Sequence, residues 1–105
     1  MLVSVVIGLL NEEKFLPRLI EDFKNQTYDH SKIELIFIDG MSKDKSWKIL
    51  EDFKASNHDF YDVVLLKNPK VILSAGMNVG IKAARGECIL KVDCHSHITE
   101  DFIEN

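Results

Sequence analysis

The segment Ser4-Val5-Val6-Ile7-Gly8-Leu9-Leu10 is an unbroken apolar run rich in β-branched residues. That is the composition of a strand buried on both faces, not of one that alternates between core and water. Strands of that kind occupy the middle of parallel sheets, and parallel neighbours must be joined by crossover segments, usually helices. The chain therefore has to supply helices between its strands, and its periodicity shows that it does.

After Asn11 the period changes. Phe15, Leu16, Leu19, Ile20 and Phe23 recur at helical spacing, with Glu12 and Glu13 placed where a first turn favours acids, so a first helix is predicted over about Glu12 to Gln26. Pro17 lies inside that pattern and shifts the start or kinks it, because it removes a backbone donor. A second strand is predicted from Ile33 to Ile38. The loop from Asp39 to Ser46 follows, with Gly40 for the turn and Ser42, Asp44 and Ser46 as capping side chains. The second helix runs to about Ser56 with Trp47, Leu50 and Phe53 inward, and Asn57 to Asp59 form a polar break. Val63 to Leu66 read as a third strand. Ser74 to Ala84 read as a third helix whose Gly76 and Gly80 permit close approach of a neighbour. Glu87 to Val92 form the fourth strand, and Thr99 with Glu100 and Asp101 resembles a capped helix start.

Strand–helix alternation with right-handed crossovers gives an α/β fold. The arrangement expected is a three-layer, Rossmann-like parallel sheet of order 3-2-1-4, truncated after its fourth strand, in one domain spanning residues 1–105. An open edge on such a sheet implies self-association. With 46% hydrophobic and 29% charged residues the composition is that of a globular chain, and no apolar run approaches the ~20 residues of a membrane helix. The apolar N-terminus lacks the basic region and small-residue cleavage site of a signal peptide. Cys88 and Cys94, on one strand, would stand about 20 Å apart and cannot bridge. A reducing, cytoplasmic setting fits.

The net charge of −4 argues against nucleic acid as partner, and it means that a phosphate ligand would need a cation from outside. In an open α/β sheet ligands bind at the carboxyl ends of the strands, where the winding reverses. Asn11, Asp39 and Asp93 should share that edge. No G-x-G-x-x-G follows the first strand and no G-x-x-x-x-G-K-[ST] occurs, which disfavours dinucleotide and Walker-type sites. A pyrophosphate held by an acidic protein calls for a divalent ion, and Asp93 with His95 are the candidate ligands. Asp93, Cys94, His95 and His97 lack the paired spacing of a structural zinc site. Cys94 reads as a packing residue, and His30 and His58, in polar loops, as solvated.

Several stretches together carry a resemblance. They are Val5-Val6-Ile7 leading to Asn11-Glu12-Glu13, then Asn25-Gln26-Thr27-Tyr28, then Ile38-Asp39-Gly40-Met41-Ser42-Lys43-Asp44, then Ser74-Ala75-Gly76-Met77-Asn78-Val79-Gly80-Ile81 with Ala84-Arg85-Gly86-Glu87. In sequence and spacing they resemble the N-terminal half of family 2 glycosyltransferases. The resemblance implies a GT-A fold, a nucleotide-diphosphate sugar as donor, and Mn²⁺ or Mg²⁺ as cofactor. It implies that Leu10, Asn11 and Glu12 line the nucleoside pocket, that Asp39 contacts the base or its surroundings, and that Ser42, Asn78 and Val92 belong to the same nucleotide site. Asp93 would open the metal-binding D-x-D segment. Four positions depart from the family pattern: Gly8 for Pro, Gly40 for the second Asp of Asp-Asp-Gly-Ser, Met77 for an Arg, and His95 for the second Asp of D-x-D. An Asp-x-His form still offers an oxygen and an imidazole to a Mn²⁺-type ion.

The resemblance also implies an acceptor glycan or lipid-linked sugar, polysaccharide or glycoconjugate synthesis, and a full-length protein at the inner face of the membrane. Its catalytic base is expected beyond Asn105, so this chain alone is expected to bind donor and not to transfer sugar. Two other classes share the architecture. A receiver-type signalling domain would use Asp39 as phospho-acceptor, but the third strand ends in Lys67-Asn68-Pro69 instead of an acid. A nucleotidyltransferase would prefer a nucleoside triphosphate.

Overall fold

The computed structural model describes residues 1–56, 59–67, 84–93 and 103. Four strands form one parallel sheet: β1 (Val3–Leu9), β2 (Ile33–Asp39), β3 (Asp62–Lys67) and β4 (Cys88–Asp93). Their spatial order is β3-β2-β1-β4, as the alternation of apolar runs predicts. Each of the first two strands is followed by a helix, α1 (Leu16–Lys24) and α2 (Ser46–Ala55). Of the third helix predicted over Ser74 to Ala84 only Ala84 is described, and it lies outside any helix; the helix start at Thr99 lies outside the described residues. Among the described residues no helix is long and apolar enough to cross a membrane.

α1 begins four residues later than its periodicity suggests, and Pro17 is the reason. It sits in the first helical turn, where its missing N–H would have had no partner and its fixed φ suits the helix. Glu12 and Glu13 are thus ahead of the helix and not in its first turn. The Glu12 carbonyl accepts from the amides of Phe15 and Leu16 at 3.1 and 2.9 Å, a turn that leads the chain into α1.

β1 and β2 are buried along almost their whole lengths. On one face Val3, Val5, Ile7, Leu9, Leu35 and Phe37 meet Leu16, Leu19, Ile20 and Phe23 of α1 and Leu50 and Phe53 of α2. Phe37 stands edge-on to both Phe23 and Phe53, at ring-centroid separations of 6.4 and 6.2 Å, the geometry aromatic quadrupoles prefer. On the other face Val6, Ile36 and Ile38 are buried with Val64, Leu66 and Ala84 packed beside them. Ile103 joins the first core, and its amide donates to Gln26 Oε1 at 3.0 Å.

His30 corrects a sequence expectation. It is not a solvated loop residue: it opens a short 3₁₀ turn, its ring stacks on Phe60 at 4.7 Å between centroids, and its Nε2 lies 2.9 Å from the Gln26 carbonyl. Its burial comes from Phe60, thirty residues on, which no local pattern around His30 could indicate. His58 lies outside the described residues.

Candidate functional site

The parallel register decides what reaches the C-terminal edge of the sheet. Leu9 pairs with Asp39, Asp39 with Lys67, and Gly8 with Asp93. The strand ends leading to Asn11, Asp39 and Asp93 therefore share one edge. Within it, Asp93 takes the position beside Gly8, which alternates with the position of Leu9 and Asp39.

Two loops above β1 and β2 are tied to each other by a set of local hydrogen bonds. Asp39 is 1% exposed. Its carboxylate accepts from the Ser42 amide at 3.2 Å and from the Ser42 hydroxyl. Ser42 Oγ in turn accepts from the Asn11 amide at 2.8 Å, and Asn11 Oδ1 accepts from the Lys43 amide at 2.8 Å. The Glu12 amide donates to Ser46 Oγ at 2.9 Å, and the Glu13 amide to Asp44 Oδ2 at 3.1 Å. The Gly40 amide donates to the Leu9 carbonyl at 2.9 Å, and Leu10 lies against Gly40. Four of the nucleotide-site residues predicted from sequence, Asn11, Glu12, Asp39 and Ser42, thus belong to one hydrogen-bonded unit, and a fifth, Leu10, lies beside it against Gly40.

The side chains predicted as helix caps divide their work. Asp44 Oδ1 accepts from the Ser46 amide at 2.9 Å at the start of α2, while the hydroxyls of Ser42 and Ser46 reach across to the β1 loop. Burial pushes the Asp44 carboxyl up, but hydrogen bonds from Ser46 and from the Glu13 amide outweigh it and hold the group below the ordinary aspartate value. The turn itself differs from expectation. Gly40 does not carry the left-handed backbone; Asn11 (φ 53°) and Met41 (φ 68°) do. Asn11 is suited to that region by its short polar side chain, here bonded across to Lys43. Met41 has no such partner chemistry and is 47% exposed at the rim.

Val92 is buried in the core, one residue before Asp93 on β4. Asn78 and His95 lie outside the described residues, as do Cys94 and His97. Among the described residues no three His, Cys, Asp or Glu side chains come together as a metal site. A cation that sequence reasoning passed over sits at the rim: Lys67, paired with Asp39, places its ammonium 4.5 Å over the Trp47 ring. The more important omission is at the other end of the sheet, where Glu34 is fully buried. An acid inside the apolar run Ile33-Glu34-Leu35 was the available signal, since such a charge requires a partner.

A four-stranded parallel sheet of this order, with its polar loops gathered at the reversal of winding, defines a doubly wound α/β protein. Residues 4–105 match the family Glycosyl transferase family 2, and the chain belongs to that family. Its sheet is the GT-A fold, as solved structures of low sequence identity show. TarS residues 1–349 of Staphylococcus aureus, in complex with UDP-GlcNAc, superpose with a TM-score of 0.85 at 22% identity, covering 99% of this chain and 29% of that one. The mannosyltransferase PcManGT of Pyrobaculum calidifontis, in complex with GDP-Man and Mn²⁺, gives a TM-score of 0.81 at 19% identity over 88% of this chain and 27% of that one. A curated relative is the dolichyl N-acetyl-alpha-D-glucosaminyl phosphate 3-beta-D-2,3-diacetamido-2,3-dideoxy-beta-D-glucuronosyltransferase of Methanococcus voltae, 29% identical over 98% of this chain. The chain spans 32% of that relative's length. Family membership sets aside the receiver-type alternative.

Proposed function

We propose that residues 1–105 are the donor-binding half of a glycosyltransferase that transfers sugar from a nucleotide diphosphate to an acceptor hydroxyl in polysaccharide or glycoconjugate synthesis. The observation that carries this reading is the interlocked pair of loops at the C-terminal edge, which holds Asn11, Asp39 and Ser42 as one unit beside the strand that ends in Asp93. Leu10, Asn11 and Glu12 are assigned to the nucleoside pocket, with Ser42 and Asn78 on the same site. Asp39, buried and hydrogen-bonded to Ser42, is assigned to the base or its surroundings and shapes the loop as well.

Asp93 and His95 are the proposed ligands of a Mn²⁺ or Mg²⁺ ion. An oxygen and an imidazole nitrogen suit such ions. When bound, the ion would neutralise charge developing on the departing diphosphate. In the transfer itself the acceptor oxygen bonds to the anomeric carbon as the bond from that carbon to the diphosphate oxygen breaks. The nucleoside diphosphate leaves with the electron pair, and the hydroxyl proton passes to a base. Donor binding is the activity proposed for these residues. The presence of UDP-GlcNAc and of GDP-Man with Mn²⁺ in structures of the same fold supports the donor class.

Calorimetric titration of UDP and of GDP, each with and without Mn²⁺, tests the reading. Binding of at least one nucleotide should tighten tenfold or more with the ion, and Asp93→Ala should abolish that gain. Equal affinity with and without Mn²⁺, or a gain untouched by Asp93→Ala, would sink the metal assignment.

A further inference from the structure

The edge opposite the site holds a polar network that joins β1, β2 and β3 to the segment leading into β4. Glu34, in β2, is fully buried. Its Oε1 accepts from the Ser4 hydroxyl of β1 at 2.8 Å and from the Arg85 amide at 2.9 Å, and its Oε2 accepts from Arg85 Nε at 2.7 Å. The Arg85 guanidinium also reaches Oε2 with its terminal nitrogen at 2.6 Å and pairs with Asp62 at the start of β3. Ser4 Oγ accepts from the Gly86 amide at 2.8 Å, and the Glu87 amide donates to the Leu2 carbonyl at 2.9 Å. Gly86 is pressed so close to β1 that a Cβ there would stand 2.6 Å from the Ser4 backbone nitrogen and 2.9 Å from the Leu2 carbonyl oxygen.

β4 needs such a device because its side-chain pattern does not set its own alignment. Among the described strands it pairs only with β1. Cys88, Leu90 and Val92 face the helix-covered core. A slip of one residue would turn them out, and is resisted. A slip of two residues keeps every one of them on the same face, so burial discriminates against it only weakly. That slip would carry the strand end about 7 Å along the sheet, away from the loops that hold Asn11 and Asp39.

We propose that Ser4, Glu34, Arg85 and Gly86 form a register lock that fixes the alignment of β4 against β1, and so act as positioning residues for Asp93 at the opposite edge. The forked guanidinium and the Gly86 amide recognise one alignment alone: only when Val3 is opposite Cys88 do Arg85 and Gly86 fall beside Glu34 and Ser4. The role given to Asp93 rests on the function proposed above; the alignment itself does not.

Interstrand backbone NOEs in the isotope-labelled chain read the alignment directly, without any ligand. Arg85→Ala removes the fork and Gly86→Ala adds the obstructing methyl. Each variant should lose or shift the β1–β4 contacts of Val3 with Cys88 and Ile7 with Val92, while keeping the β1–β2 contacts of Val3 with Ile33 and Ile7 with Phe37. Amide exchange at residues 88–92 should accelerate at least tenfold relative to residues 33–39. Unchanged β1–β4 contacts in both variants would overturn the lock, and so would loss of both sets together in both variants, which would mean general unfolding. If the unsubstituted chain shows these contacts but no Mn²⁺-induced line broadening near residue 93, the metal reading fails and the lock stands.

Discussion

Met41 holds its left-handed backbone (φ 68°) without a side-chain hydrogen bond like the one Asn11, in the same region, accepts from the Lys43 amide. A Cβ in that region crowds the neighbouring carbonyl, at a cost of about 1–2 kcal/mol, and glycine avoids it. Strain of this kind persists where the surroundings over-determine the backbone. Here the bond from the Gly40 amide to Leu9 and the bonds from Ser42 to Asp39 bracket the residue on both sides. Met41→Gly should therefore raise unfolding stability by about 1 kcal/mol in urea titrations, after the entropy of the added glycine is subtracted. A fall in stability would mean that the exposed thioether contributes more than the backbone loses.

At the scale of elements, the two loops after β1 and β2 behave as one piece because the β2 loop offers its side chains to the β1 loop's amides. Asp44 is the acid-sensitive member. Its carboxyl is held below the ordinary aspartate value by Ser46 and the Glu13 amide, against burial acting the other way. A depressed carboxyl contributes stability that is complete above its unfolded value, near pH 4, and is lost as the pH falls through the folded value. Urea unfolding between pH 6 and pH 3 should thus show a smaller acid loss in Asp44→Asn than in the unsubstituted chain. Parallel losses would remove Asp44 from the account. The elements themselves were legible in the sequence because β-branched runs and helical spacing are local signals. Of the two effects expected of Pro17, a shifted start or a kink, the structure shows the shifted start, with Pro17 in the first turn of α1. Gly40 was expected to serve the turn, and the left-handed backbone falls instead on its neighbour Met41. Glu34 with Arg85, and His30 with Phe60, escaped notice because their partners lie 51 and 30 residues away and nothing near either residue names them.

For the whole molecule, the sheet order separates two jobs to its two ends. The N-terminal edge carries buried charge and close backbone contact, chemistry suited to fixing strands. The C-terminal edge carries loop amides, a buried acid and the end of β4, chemistry suited to holding a ligand at the reversal of winding. That division was foreseeable from strand alternation for the ligand edge, whereas the fixing edge exists only once the strands are side by side. Mapping amide chemical shifts on addition of UDP or GDP with Mg²⁺ tests the division directly. The account predicts perturbations gathered at residues 10–13, 39–44 and 92–93, with Val3, Glu34, Asp62 and Cys88 unmoved. Perturbations centred on the N-terminal edge, or on the outer surfaces of α1 and α2, would contradict it.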